Sequence, residues 1–128
     1  MKKSIFLFIL IILMSACGVP MGNRIDSHNL SVYYLDGITK EKAIAFAKYW
    51  RDNGFVGENK QTIQLDSENN VIFVKLIERE VYSDDPISID EEVMLQDLER
   101  TLKQEIFNKE VTIVITDNTF QPIMKRNI

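Results

Sequence analysis

Two amphipathic helical stretches set among four strand-like segments predict an α+β fold for residues 30–128; the order is strand, helix, strand, strand, helix, strand. The helical stretches repeat apolar residues every third or fourth position. Residues 62–66 alternate polar with apolar, and residues 71–77 are apolar almost throughout. With right-handed crossovers this order corresponds to the ferredoxin-like βαββαβ sandwich, a four-stranded antiparallel sheet with two helices on one face. That plan places the first and third strands in the middle and the second and fourth at the edges.

Residues 30–35 are β-branched and aromatic and end at Asp36-Gly37, as a short strand should. A helix follows. Thr39 is a good N-cap, and Glu41 sits in the first turn, where the positive end of the helix dipole favours a carboxylate. Ala43, Phe46, Ala47 and Trp50 share a face, with Ile44 beside them. Asn53-Gly54 ends the helix, and Phe55 is placed to fold back onto its last turn. Residues 62–66 and 71–77 read as a hairpin across residues 67–70, the wetter strand at the edge and the apolar one inside the sheet. Residues 80–88 are acidic and contain a proline, which marks an exposed loop. Ser88 and Glu91 fit a capping box, with Asp90 an equally suitable cap. The helix they open runs to about Phe107, with Leu95, Leu98, Leu102 and Ile106 along one face and Met94 at its flank. Asn108-Lys109 turns the chain into a strand over residues 111–116, and residues 119–128 read as a short extended tail. The last strand is more apolar than an open edge should be. Either the tail covers it or another chain pairs with it.

The N-terminus is of another kind. Lys2 and Lys3 precede an apolar run over residues 5–14, followed by Ser15-Ala16-Cys17. At about 1.5 Å per residue this run is too short to cross about 30 Å of hydrocarbon as a helix, and it has the form of a secretory leader. Met14-Ser15-Ala16-Cys17 resembles the lipobox of bacterial lipoproteins, with Met14 where leucine is usual. The resemblance spans residues 1–17. It implies a diacylglyceryl group on the Cys17 sulfur, cleavage before Cys17 and acylation of the freed amine. Two or more chains anchor a protein stably where one does so only marginally. The implied organisation is a leader over residues 1–16, a lipidated cysteine and flexible tether over 17–29, and a single domain over 30–128. In enterobacterial lipoproteins aspartate after the cysteine signals inner-membrane retention. Gly18 therefore implies passage to the outer membrane in a host that has one, and the lack of an acidic run after Cys17, of the sort some outer-membrane lipoproteins use for surface display, points to its periplasmic face.

Loss of Lys2 and Lys3 with the leader takes the formal charge from −4 to −6. Such a balance disfavours nucleic acid, and it disfavours adhesion of the domain's own surface to anionic lipid. Cys17 is the sole cysteine, so no internal disulfide forms. His28 is the sole histidine, which leaves no basis for a paired-histidine metal site, and no glycine-rich nucleotide loop occurs. Asp84-Asp85 with Asp90-Glu91-Glu92 forms an acidic cluster that lacks the spacing of an EF-hand loop. Tyr33 or Tyr34 with Phe73 would supply stacking platforms on an open sheet face, but the acidic balance argues against RNA. Trp50 belongs with the core. Carboxylates such as Asp36 or Asp66 are the remaining candidates for catalysis. The expectation is a non-enzymatic envelope lipoprotein without cofactor or metal. It would be membrane-held through lipid on Cys17 and bind a protein partner through the open sheet face or the final strand, with an immunity or inhibitor protein as one version. The alternative is a small-molecule or calcium-binding periplasmic module.

Overall fold

The computed structural model describes residues 21–78 and 87–123. A hairpin opens the domain. Strand β1 (Asn23–Ser27) pairs antiparallel with β2 (Leu30–Tyr34) through a two-residue turn at His28, which takes a left-handed φ of 53°. Helix α1 (Lys40–Asp52) starts where Thr39 Oγ1 accepts the Lys42 N–H at 3.2 Å. It leads to β3 (Gln61–Glu68), which turns through Asn69 and Asn70, both at positive φ, into β4 (Val71–Ile77). Helix α2 (Ile89–Leu102) opens with the capping box: Ser88 Oγ accepts the Glu91 N–H and donates to the Glu91 carboxylate. It passes into one π-helical turn (Lys103–Phe107), closed by left-handed Asn108, and β5 (Glu110–Thr116) follows.

The fold is α+β, and both helices stand where the periodicity places them. The sheet differs from the four-stranded antiparallel expectation. It has five strands in the order β1-β2-β3-β4-β5, with β2/β3 and β4/β5 parallel and the other pairs antiparallel. Residues 23–27, assigned above to the tether, are a strand. Their one apolar residue, Ile25, gives no alternation to read, and it is pairing with β2 that makes them β. Residues 62–66, expected at an edge, lie in the central strand. Their polar residues point to the face away from the helices, where Gln64 is 3% exposed and donates to the Met21 carbonyl at 3.2 Å.

The strand order has a topological cause. Each helix joins neighbouring parallel strands, and β2 and β4 run in opposite directions. Both helices nevertheless cover the same face. The Phe46 and Phe107 rings lie 6.1 Å apart, and Lys42 Nζ donates to the Ile106 carbonyl at 2.7 Å. The two crossovers therefore wind with opposite hands. The right-handed rule that selects the ferredoxin order holds for only one of them.

The core lies between this helix layer and one sheet face. Leu30, Val32, Ile63, Leu65, Val74 and Ile113 are fully buried from the sheet, and Phe46 and Leu102 from the helices. Trp50 stacks on Phe46 at 5.2 Å and meets Phe55 at 4.6 Å, while its Nε1 donates to Gln61 Oε1. The Phe55 contact is the fold-back expected at the end of α1.

Candidate functional site

The surfaces that the sequence marks for contact have covers of their own. On β5, Glu99 Oε2 of α2 accepts the Ile113 N–H at 2.6 Å, and the Ile123 N–H donates to the Ile115 carbonyl at 2.8 Å. Thr116 bridges Pro122. A carboxylate and the tail thus occupy backbone positions along the edge, as natural sheets do to block pairing with other chains.

The sheet face opposite the helices is covered by the turn after β5. The Asp117 carboxylate accepts from Thr119 Oγ1, the Thr119 N–H and the Gln121 N–H at 2.7–3.0 Å. The Thr119 hydroxyl above all, and then the two amides, hold its pKa below the usual carboxylate range. This turn seats Phe120, at φ 63° and 4% exposed, edge-on to Tyr33 with ring centroids 6.2 Å apart. The Arg24 guanidinium lies 6.0 Å from the Tyr33 ring. Ser31 Oγ donates to Asp26 at 2.7 Å, and Lys75 pairs with Asp66 at 3.4 Å. Tyr33 is therefore not an open platform, Tyr34 belongs to the helix side, and Phe73 is half-buried.

Asp36 and Asp66 line a shallow depression of about 400 Å³ with Gly22, Tyr34 and Ser67, at the end of the sheet where the chain enters. Asp66 is engaged there by Lys75 and by the Ser67 N–H at 2.8 Å. His28 stands exposed in the β1–β2 turn, and Trp50 is in the core. Asp90, Glu91 and Glu92 form the first turn of α2. Cys17, Asp84 and Asp85 lie outside the described residues. Among the described residues no three His, Cys, Asp or Glu side chains are grouped to hold a metal ion, and no helix is long and apolar enough to cross a membrane.

Two surfaces have no counterpart in the sequence reading. A groove of about 580 Å³ runs between β1 and α1, with Ile25, Ile44 and Ala47 in its apolar part and Lys48, Arg51 and Asp52 among its charged lining. On α2, Ile89 is 83% exposed and Val93, one turn on, is 51% exposed. Ile44 beside the buried stripe of α1 is the only sequence signal for the groove. Its other wall, β1, leaves no periodic trace.

Fold and surface together define a small two-layer α+β domain whose polar side chains on the sheet face are largely committed to holding its own turns and strands. The chain belongs to the AF_1994_N family, described as a family N-terminal domain, which matches residues 24–126. The match begins within β1, so it is the folded domain that carries it. No curated protein and no solved structure matches the chain.

Proposed function

We propose that this chain is a lipoprotein of the bacterial envelope, held by acyl groups on Cys17, and that its domain is a non-enzymatic module for binding another protein. The observation that carries the reading is the leader: Lys2-Lys3, the apolar run over residues 5–14 and Met14-Ser15-Ala16-Cys17 in direct succession. A processed Cys17 with two or more acyl chains stays on the membrane. On the domain, the Ile89–Val93 turn supports a protein partner. Three exposed apolar side chains, Ile89, Val93 and the adjoining Met94, lie there on a helix otherwise rich in carboxylates, a pattern that suits an apolar contact rimmed by charge. Helix α2 packs on β5, at the opposite edge of the sheet from β1, so this turn is placed away from the point where the anchor enters. An acidic helix presented in this way fits a basic partner, as an immunity or inhibitor protein would require.

Mass spectrometry of the N-terminal peptide from natively expressed protein tests the anchor. The expected result is a peptide beginning at Cys17 with added diacylglyceryl and acyl mass, and release of a Cys17→Ala variant from the membrane fraction. A native peptide without lipid mass would overturn the reading. A photo-crosslinker at Val93 tests the partner face: it is expected to give a discrete adduct that a crosslinker at Glu68 does not.

A further inference from the structure

We infer that the flank formed by α1 and β1 lies against the bilayer and binds anionic phospholipid headgroups. The inference rests on lipid at Cys17 and goes beyond it by giving the domain an orientation. Only residues 18–22 separate Cys17 from Asn23, the first residue of β1. Met21 is already held on the sheet through its carbonyl's bond to Gln64, so the free link is residues 18–20, which fully extended spans at most about 14 Å, roughly a third of the reach of a tether ending at Asn29. The headgroup layer takes up about 5–8 Å of it. The β1 edge therefore stays within about 15 Å of the headgroups, and one of the surfaces next to Asn23 has to face them.

Three surfaces adjoin Asn23, and their charges differ. The sheet end carries Asp36, with Asp66 paired to Lys75, and offers no unpaired basic side chain to anionic lipid. On the face opposite the helices, Arg24 is engaged by Asp26 and Tyr33. The groove flank presents Lys48 and Arg51 around Ile44, which is 50% exposed. Lys40, four residues before Ile44, continues the same helical face toward the chain's entry point. Asp26 and Asp52 also line the groove, but Asp26 is held by Arg24 and Ser31. Basic side chains that reach outward over an apolar residue are the pattern that settles at a headgroup layer.

The net charge of −6 hides this because charge is segregated between the helices. Helix α1 has four basic and two acidic residues, whereas α2 has one basic and five acidic. The flank near the anchor is attracted to an anionic surface, and the acidic helix is turned away from it.

The test uses the full lipidated protein in vesicles of phosphatidylcholine, alone or mixed with phosphatidylglycerol, doped with headgroup-nitroxide lipid. With the Cys17 sulfur in a thioether, a fluorophore goes singly onto Ser27→Cys in the groove, Ser67→Cys at the acidic end or Val93→Cys on α2. Quenching at Ser27 is expected to exceed that at the other two sites at least twofold in phosphatidylglycerol vesicles. The difference is expected to collapse in phosphatidylcholine, or when Lys48→Glu and Arg51→Glu are added. Strongest quenching at Ser67 or Val93, or indifference to phosphatidylglycerol, overturns the orientation while flotation with vesicles still supports the anchor. Loss of flotation, with no lipid mass on Cys17, overturns both.

Discussion

Removing the Glu99 carboxylate is expected both to destabilise the domain and to open its β5 edge. Glu99 Oε2 sits 2.6 Å from the Ile113 amide nitrogen, a charge-assisted hydrogen bond across from α2 to the outer side of the last strand. Bonds of this type contribute about 1.5–3 kcal/mol. In Glu99→Ala, water can reach the amide at the sheet edge, so the loss should fall toward the lower end, about 1–2 kcal/mol. For a domain of this size that lowers Tm by about 4–12 °C. Glu99→Gln keeps an oxygen acceptor without the charge and should lose about half as much. The exposed amide also joins a strand whose Val111 and Ile113 are buried and whose outer edge becomes a template for pairing. Glu99→Ala should therefore associate with rising concentration in sedimentation velocity, and the wild-type domain should not. Arg100→Ala, one residue on and paired with exposed Asp97, should change Tm little. Melting of Glu99→Ala at the wild-type temperature, with no association, would refute the assignment of this carboxylate as the guard of the edge.

Phe46→Ala removes a fully buried ring stacked on Trp50 and close to Phe107. It should cost about 3–5 kcal/mol in urea unfolding, a large part of the stability of a single domain. Gly22→Ala at φ 92° would place its Cβ 2.4 Å from the Tyr34 carbonyl oxygen. It should loosen β1, seen as faster amide exchange at residues 23–27, whereas Gly54→Ala meets no atom within 4 Å and should leave β1 untouched. Asp117 titrates lower in the folded protein than its ordinary value of 3.8. Its contribution is complete above that value and is lost as pH falls through the lower, folded one. Proton shifts of the Phe120 ring should report the turn opening on acidification in the wild type, and Asp117→Asn should abolish that step.

Much of the local structure was legible in the residues themselves. Thr39 and Ser88-Glu91 mark helix starts that the caps occupy, the apolar spacing picks out Phe46, Trp50, Leu95 and Leu102, and Asn53-Gly54 ends α1. Each depends on neighbours within one or two turns of chain, so the information is contained in a short window. The leader proposed for residues 1–16 is read from local properties of the same kind, the length of the apolar run and the small residues before Cys17. The strand β1, the central place of β3 and the opposite hands of the crossovers were not, because each is decided by which strand pairs with which. The candidate surfaces depend on that pairing too. Ile25 and Ile44 stand nineteen positions apart in the chain and meet only because the β1–β2 hairpin lays one strand beside α1. Phe120 reaches Tyr33 only because the turn at Asp117 folds beneath the sheet. Backbone hydrogen bonding within a helix is settled by residues close in sequence, whereas in a sheet the partners are distant, and burial of one shared face selects among the pairings that a string of residues leaves open.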